Sequence, residues 1–355
     1  MRPVSPSFAL LAALSLAPLS TSLWAQELVA GKPAPALAIA KWVKGDAVTE
    51  LKKDHVYVVE FWATWCGPCI AGMPHLSEVQ KQHKGAVTVI GVTSEDESNS
   101  LADVEAMVKD KGDTMAYTVA WDDAGKTQKA WFEAAGQDGI PCCFVVDKTG
   151  TVAWIGHPMW LDAILPDVLA GKVDVKALAE RPESIEKRMK RVYFAAAIKP
   201  SKGIEECEAL CKDYPFLTEM VEENMFGFLI SADDPTLAWP VGERVFARAV
   251  AAKNPMTLNG LAWPIVDPKG DCKKPNLDFA MKAAAKAVEF SERKDPSILD
   301  TLARVHACKG EWEQAIAVQK EAVKLVPEEA ADAKAEFEGT LKEYEAKAKE
   351  KAGGK

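Results

Sequence analysis

The chain has 355 residues, of which 48% are hydrophobic and 27% are charged. This composition is that of a soluble globular protein, and the length suggests about two domains. The formal net charge is -9, and no run of Lys or Arg stands out along the chain. Proteins that bind nucleic acid or anionic membranes carry an excess of positive charge, so this balance argues against both classes.

Residues 1–25 have the layout of a secretory signal peptide. Arg2 gives a short positive start, an apolar run extends from Phe8 to Leu19, and Leu23-Trp24-Ala25 closes the segment. We expect export to the periplasm with cleavage near Ala25, which removes Arg2 and leaves a mature charge of -9 - 1 = -10. An uncleaved membrane anchor is the alternative, although the apolar run contains a proline and is short for a transmembrane helix.

The next segments predict a strand that leads into a helix through two cysteines. Residues 55–62 are mostly apolar, as in a buried strand, and the helix is expected to reach about His83. Trp65-Cys66-Gly67-Pro68-Cys69 stands between them. This order places Cys66 at a helix N-terminus, where free backbone amides and the macrodipole favour the nucleophilic thiolate. Two cysteines that only fill a core are the alternative interpretation.

Further strands and helices alternate up to residue 172. The predicted strands are 87–92, 117–119 and a hairpin formed by the segments 139–147, with Pro141 at the start of the strand, and 151–156. The predicted helices are 98–111, 126–135 and 159–170. Alternation that finishes in a hairpin indicates an α/β domain over residues 26–172, with a mixed central sheet flanked by helices.

From residue 173 onwards the sequence predicts helices and contains an internal repeat. Leu258-Asn259-Gly260-Leu261-Ala262 matches Leu299-Asp300-Thr301-Leu302-Ala303 at an offset of 41, and residues 280–288 match 315–323 at an offset of 35. The difference falls in a loop at 267–275. The later copy has the spacing of a tetratricopeptide repeat (TPR). Residues 173–355 are therefore expected to form an all-α, TPR-like domain with a solvated C-terminal tail.

Residues 28–170 resemble the thioredoxin superfamily, and within it the exported TlpA-like thiol–disulfide oxidoreductases, or redoxins. The resemblance rests on Trp65-Cys66-Gly67-Pro68-Cys69 after an apolar strand. It also rests on Gly139-Ile140-Pro141 about 70 residues later, ahead of another strand. The resemblance implies a thioredoxin fold, here followed by the helical-repeat domain.

The resemblance also implies roles for individual residues. Cys66 is expected to attack a substrate disulfide and Cys69 to resolve the mixed disulfide, so the pair would be the redox centre without a further cofactor or a metal. Pro141 is expected to be a cis-proline that faces the cysteines, and the Ile140 backbone is expected to pair with a substrate peptide. The other residues expected to contact substrate are Trp65, Gly67 and Pro68.

Glu60 and the two cysteines after Pro141 each have two interpretations. Glu60 stands where many thioredoxins carry a buried acid, and a buried carboxylate is costly unless it has a task. It is expected to accept the proton of Cys69; the alternative is an acid at a frayed strand end in water. Cys142 replaces the usual Thr and precedes Cys143. Both are expected to fill the strand, and an additional redox thiol near Cys66 is the alternative.

Four cysteines of the helical region have no role in this scheme. They are Cys207, Cys211, Cys272 and Cys308. A structural disulfide among them is one possibility. Cys207 and Cys211 are four residues apart on a predicted helix, so they lie close enough to bond or to share a metal. No cluster of further ligands supports a metal.

Together these features predict an exported enzyme that reduces disulfides in protein substrates. Gly-Pro between the cysteines is the dipeptide of reducing thioredoxins, whose potential is about -270 mV. Such an enzyme needs an electron donor, expected to be a membrane thiol carrier, while the helical repeats are expected to bind a protein partner. The alternatives are a thiol peroxidase that uses Cys66, although the peroxiredoxin motif Pro-x-x-x-Thr-x-x-Cys is absent, and a TPR-type interaction protein with an accessory redox module.

Overall fold

The computed structural model describes residues 27–353 of the chain. The expected signal segment, 1–25, lies outside the described residues. The chain divides into two compact units between Ala179 and Glu180. The boundary expected from the sequence, after residue 172, falls shortly before the helix that contains this division. Among the described residues, no helix combines the length and apolar character that crossing a bilayer requires.

The first unit is built on a mixed sheet, as the sequence predicts. Its six strands within the described residues are β1 (Ile39–Lys44), β2 (Val56–Phe61), β3 (Val87–Thr93), β4 (Thr118–Asp122), β5 (Cys142–Val146) and β6 (Val152–Gly156). The spatial order is β1-β4-β3-β2-β5-β6. The inner strands β2, β3 and β4 run parallel, whereas the β1–β4, β2–β5 and β5–β6 pairs are antiparallel.

Helices connect these strands close to the predicted positions. They are α1 (Gly67–Gln82), α2 (Leu101–Lys111), α3 (Lys126–Gln128) and α4 (Leu161–Leu169). A capping box formed by Ser100 and Asp103 fixes the start of α2. The short helix α3 continues into a π-helical turn, Lys129–Glu133, which the sequence pattern did not distinguish from an ordinary helix.

The two faces of the sheet have different coverings because successive residues of a strand point to opposite sides. On one face Val59 and Phe61 pack with Phe144 against Trp131, and all four side chains are buried. Helix α1 buries Cys69, Met73, Leu76 and Val79, which do not belong to that cluster. The opposite face, which includes Glu60, therefore lies on the side of α1.

The second unit consists of helices in its described part. They are α5 (Val175–Ile198), whose first residues precede the division, α6 (Pro200–Asp213), α7 (Thr218–Ile230), α8 (Ala238–Ala251), α9 (Pro255–Val266), α10 (Leu277–Phe290), α11 (Pro296–Cys308), α12 (Trp312–Leu325) and α13 (Ala331–Gly353). The internal repeat coincides with α9–α10 and α11–α12. Its matched residues are buried in both copies: Leu258, Leu261 and Ala262 in α9, and Leu299, Leu302 and Ala303 in α11. The TPR assignment stays a prediction.

The C-terminal helix differs from the solvated tail that was expected. Tyr344 of α13 is fully buried. Its ring lies 6.2 Å from that of Trp312 and carries the Arg304 guanidinium 5.1 Å above it. The sequence predicted a solvated capping helix from Glu328; a helix is present there, and the burial of Tyr344 shows that one of its faces is docked.

Gly203 provides a test of the packing between α5 and α6. A Cβ atom at this position would lie 2.5 Å from the backbone of Ala196, which is closer than two non-bonded heavy atoms can approach without a shift of the structure. We expect Gly203→Ala to lower the free energy of unfolding by about 1–3 kcal/mol, as overpacked cores do. Urea denaturation followed by far-UV circular dichroism measures the change.

The matched control is Gly227→Ala in α7, where an added Cβ meets no atom within 4 Å. Because Ala favours helices over Gly by about 0.5–1 kcal/mol, this variant should be as stable as the wild type or more so. Equal effects of the two substitutions would contradict the close approach of α5 and α6.

Candidate active site

Cys66 and Cys69 lie where β2 passes into α1. Cys66 is the N-cap of α1, and its Sγ accepts a hydrogen bond from the backbone N–H of Cys69 at 3.2 Å. The two sulfurs form a disulfide, and both residues are buried. The chain is thus described in its oxidised form. After reduction, the free amides at the start of α1 stabilise a thiolate on Cys66.

The segment Ile140–Pro141 lies against this disulfide. The peptide bond between the two residues is cis, as the family resemblance implied. Cys66 Sγ is 3.8 Å from the carbonyl oxygen of Ile140. The register of the sheet accounts for the contact: Phe61, at the end of β2, pairs with Cys142, at the start of β5. Residues that are 74 positions apart along the chain therefore meet at one sheet end.

The surface around the disulfide combines an exposed rim with a cleft. Trp65 is 56% exposed, and Gly67 and Pro68 are also exposed. The Trp65 indole N–H donates to the Asp96 carboxylate at 3.0 Å, which holds the ring at the edge of the site. Beside it lies a cleft of about 420 Å³. Its lining includes Trp65, Ile140, Phe61, Phe132, Asp96 and Asp138.

Asn99 positions the loop that carries the site, and sequence reasoning missed it. Its side chain is buried, and its Oδ1 accepts from the backbone N–H and the hydroxyl of Thr64 at 3.0 and 2.8 Å. Its Nδ2 donates to the Thr93 hydroxyl and the Ser94 carbonyl. One amide thus ties the segment before Trp65 to the end of β3. Asn99 falls in the first turn of the helix predicted over 98–111, where an Asn is an ordinary residue, so the sequence carried no separate signal.

Glu60 is buried in the middle of the sheet. It is 1% exposed and pairs with Gly91 on one side and Cys143 on the other. The alternative of a frayed strand end in water is therefore wrong. Burial raises the pKa of its carboxyl to about 8, and its Oε2 has no hydrogen-bond partner among the described residues. A carboxylic acid in this position keeps its proton at neutral pH in most molecules.

Because Gly91 has no side chain, the aromatic rings of Trp62 and Tyr117 can lie close to this strand beside Glu60. A Cβ on Gly91 would lie 3.0 Å from Trp62 Nε1 and 3.1 Å from the Tyr117 ring. Burial, and then the charge of Glu60, raise the pKa of Tyr117 above its ordinary value. Trp62 Nε1, like Glu60 Oε2, has no hydrogen-bond partner in the part of the chain described. The Glu60 carboxyl therefore lies in a buried pocket beside the phenol of Tyr117 and the indole of Trp62.

Cys142 and Cys143 behave as core residues. Both are buried free thiols, and their side chains point to opposite faces of β5. Burial, followed by the nearby Glu60 carboxylate, raises the pKa of Cys142 to about 12. Its thiol donates to Gln137 Oε1 at 3.5 Å. A thiol with such a pKa is protonated and a poor nucleophile at neutral pH, which favours the space-filling interpretation over an additional redox thiol.

The cysteines of the helical unit are also free thiols. No disulfide joins Cys207, Cys211, Cys272 or Cys308, so the structure does not contain the pairing considered from the sequence. Over residues 27–353, no group of three or more His, Cys, Asp or Glu side chains is arranged to hold a metal ion. Cys207 and Cys211 nevertheless lie side by side, with their sulfurs 3.8 Å apart.

Comparison with known proteins agrees with this geometry. Residues 29–158 match the Redoxin family. The chain is 31% identical over 155 residues to the protein FixW of Rhizobium leguminosarum, a match that covers 41% of this chain and 69% of FixW. The chain belongs to the redoxin family. Its redoxin domain is that of a thiol–disulfide oxidoreductase, with the Cys66–Cys69 disulfide at the Cys-x-x-Cys position.

Two further relatives lie in the same group. The thiol-disulfide oxidoreductase ResA of Bacillus cereus is 30% identical over 129 residues, covering 36% of this chain and 69% of ResA. A solved thiol:disulfide interchange protein of the thioredoxin family from Chlorobium tepidum is 26% identical, with a TM-score of 0.33; the match covers 40% of this chain and 96% of that one.

Asn99 generates a prediction about the loop that carries the site. In Asn99→Ala the Thr64 N–H loses its buried acceptor, so we expect the free energy of unfolding to fall by about 1–3 kcal/mol. Disulfide reduction should also slow, because the segment before Trp65 is no longer held. Urea denaturation and an insulin-reduction assay measure the two effects.

Asn224→Ala is the matched control, since the Asn224 side chain is exposed on α7, where it donates to the Met220 carbonyl of its own helix and also contacts the Tyr193 hydroxyl. Its effect should stay within about 0.5 kcal/mol. If Asn99→Ala were equally mild, the loop would not depend on Asn99.

Proposed function

We propose that this chain reduces disulfide bonds in protein substrates outside the cytoplasm, using the Cys66–Cys69 pair as the redox centre of its active site. The observation that carries the proposal is the position of Cys66: it caps α1, is bonded to Cys69 and lies 3.8 Å from the Ile140 carbonyl, beside Pro141. A nucleophilic sulfur at a helix start, beside the backbone of Ile140, suits an extended substrate peptide that contains a disulfide.

The exchange proceeds in two displacements. In the reduced enzyme the Cys66 thiolate attacks one sulfur of the substrate disulfide, forms a mixed disulfide and releases the other substrate sulfur as a thiolate. The Cys69 thiolate then attacks Cys66 Sγ, which closes the Cys66–Cys69 disulfide and releases the second substrate thiolate. Two electrons pass from the cysteine pair to the substrate.

Glu60 is the proposed proton acceptor for Cys69. The thiol of Cys69 must lose its proton before it can attack, and a free cysteine has a pKa of roughly 8.5. Burial raises the pKa of Glu60 to about 8, close to that of the thiol, so in the fraction of molecules in which Glu60 is ionised it can accept the Cys69 proton in a nearly balanced transfer. Glu60 lies on the α1 side of the sheet, and Cys69 is buried in the first turn of that helix.

The substrate contacts are proposed from the surface around the disulfide. The Ile140 backbone would pair with the substrate chain, and Pro141 would keep that edge against the cysteines. The exposed ring of Trp65, with Gly67 and Pro68, would form the opposing wall. The adjoining cleft has an apolar floor and acidic residues at its rim, which favours substrate segments that are apolar or basic.

Export is proposed from residues 1–25, which have the composition of a signal peptide with cleavage near Ala25. A reductase outside the cytoplasm needs electrons, and a membrane thiol carrier is the proposed donor. The helical unit, α6 to α13, is proposed to bind a protein partner in the manner of TPR domains. The repeat of buried positions between α9 and α11 supports this part of the proposal.

The two cysteines should respond differently to substitution. Cys66→Ser should abolish insulin reduction because it removes the attacking sulfur. Cys69→Ser should lose turnover but accumulate mixed disulfides with substrate, visible as reducible complexes on non-reducing gels. Applied to an extract of exported proteins, this variant also captures the client for identification.

Cys308→Ser is the matched control, because Cys308 is an exposed thiol of the helical unit. It should keep wild-type activity. Insulin reduction that survived Cys66→Ser would overturn the assignment, and peroxide consumption in place of disulfide reduction would point to a thiol peroxidase.

Glu60→Gln should change how stability depends on pH. The pKa of the Glu60 carboxyl is about 8 in the folded protein against 4.5 for an ordinary Glu. Between these values the folded protein holds a proton that the unfolded chain has released, so wild-type stability falls as the pH rises. Gln does not titrate. The variant should gain stability over the wild type across this window, by up to about 5 kcal/mol at its upper end.

Urea unfolding of both proteins at pH 5 and pH 8 measures this difference, and Glu78→Gln, at an exposed position on α1, is the control. The control should shift stability equally at both pH values. A Glu60→Gln difference that is constant with pH would show that Glu60 titrates normally. Insulin reduction by the variant should slow, because Cys69 then lacks its proton acceptor.

A further inference from the structure

Helix α6 presents two cysteine sulfurs to each other. Cys207 is 1% exposed, Cys211 is partly exposed, and their Sγ atoms are 3.8 Å apart. Residues four apart lie one above the other on a helix, with Cα atoms about 6.2 Å apart from helix geometry. Disulfides span Cα distances of roughly 4.4–6.8 Å. Cβ atoms four residues apart on a regular helix are about 5–6 Å apart, against about 3.5–4.5 Å in a disulfide, so the bond requires the backbone of the last turn of α6, which holds Cys211, to move.

The surroundings make the two sulfurs unequal. The two thiols share a hydrogen bond in which either S–H can be the donor, and the Thr218 hydroxyl contributes a further hydrogen bond to Cys211. The hydrogen bond with Cys207 lowers the pKa of the Cys211 thiol below its ordinary value. The same hydrogen bond, together with burial, raises the pKa of Cys207. Cys211 thus combines partial exposure with a stabilised thiolate.

A charged cluster lies beside the pair. Glu222, which is buried, forms ion pairs with Arg244 and Arg248. The positive charge of Arg248 favours a thiolate on Cys211, and the Glu222 carboxylate opposes it. The effect of Glu222 on Cys211 exceeds that of Arg248, so the hydrogen bonds to Cys207 and Thr218, rather than the charged cluster, favour ionisation of Cys211.

Two simpler roles fit less well. A metal site requires more ligands, and no group of three or more His, Cys, Asp or Glu side chains suited to a metal occurs in the described part of the chain. A purely space-filling pair should resemble Cys142 and Cys143, for which burial raises the pKa of both thiols. Cys211 instead shows the opposite shift and is reached by solvent.

We propose that Cys207 and Cys211 form a second thiol–disulfide couple in this chain, with Cys211 as the attacking sulfur and Cys207 as the resolving sulfur. Its oxidant is a small disulfide of the glutathione class. The Cys211 thiolate attacks one sulfur of that disulfide, forms a mixed disulfide and releases one thiolate. The Cys207 sulfur, after losing its proton, attacks Cys211 Sγ, closes the Cys207–Cys211 bond and releases the second thiolate. Two electrons leave the pair and reduce one disulfide to two thiols.

The experiment uses the full chain with Cys66→Ser and Cys69→Ser, so that its outcome is independent of the proposed function of the redoxin domain. The reduced protein is incubated with mixtures of reduced and oxidised glutathione, the remaining thiols are alkylated, and the protein is digested with trypsin. Cleavage after Lys202 and Lys212 yields peptide 203–212, which contains Cys207 and Cys211 and no other cysteine. Its mass reports directly on the pair.

We expect peptide 203–212 to lose two hydrogens and to carry neither glutathione nor alkyl groups as the oxidised fraction rises. Cys272 and Cys308, in peptides 270–273 and 305–309, are internal controls that can take up glutathione but cannot close a ring within the peptide. A pair that remains a dithiol while Cys308 is modified would overturn the proposal. A stable glutathione adduct on Cys211 in the presence of Cys207 would overturn it as well.

Single variants separate the two sulfurs. Cys207→Ser should retain glutathione on Cys211, because the resolving sulfur is missing. Cys211→Ser should leave Cys207 to react more than ~10-fold more slowly, because burial disfavours the Cys207 thiolate and keeps its sulfur away from the oxidant. Far-UV circular dichroism verifies that both variants are folded. Equal reactivity of the two remaining cysteines would contradict the assigned order.

Discussion

The active site depends on the pairing of β2 with β5. Phe61 at the end of β2 pairs with Cys142 at the start of β5, so the segments that carry Cys66 and Pro141 lie at the same end of the sheet. This pairing brings the Ile140 carbonyl to 3.8 Å from Cys66 Sγ and also places Glu60 opposite Cys143. A slip of one residue in the strand register would turn the Glu60 side chain to the opposite face, where Phe144 and Trp131 pack and a carboxylate would lie among apolar side chains. The same strand register therefore buries the core and positions the residues of the site.

The burial of Glu60 links the chemistry of the site to its stability. The carboxyl lies in the centre of the sheet beside Tyr117, and its elevated pKa of about 8 reflects a neutral acid that water does not reach. A leucine of similar size would fill the position without that cost, since an unpaired buried polar group weakens a fold. The proposed proton transfer with Cys69 would account for an acid at this position, because that step requires a group with a pKa near that of a thiol.

The sequence predicted the features that depend on local pattern. Alternating strands and helices, the helix that starts at Cys66 and the order of the α9–α10 and α11–α12 pairs follow from periodicity, turn residues and a repeated motif. The contacts of Asn99 and Asp96 with the site loop did not follow, because they join residues 35 and 31 positions apart and depend on where α2 begins relative to β3. Tyr344 was missed for a similar reason: one buried aromatic residue in a polar helix leaves almost no periodic signal.

The cysteines of this chain show that burial alone does not determine the reactivity of a thiol. Cys142 and Cys207 are both almost completely buried, yet Cys142 donates to an amide oxygen, whereas Cys207 shares a hydrogen bond with another sulfur. A thiol that donates to a carbonyl stabilises only its own protonated form. A thiol that donates to a neighbouring sulfur stabilises the neighbour's thiolate, as the amide of Cys69 does for Cys66 at the start of α1. In both units of the chain, a sulfur that accepts a hydrogen bond stands beside a second sulfur that it can bond, and this arrangement is the physical requirement for a dithiol couple.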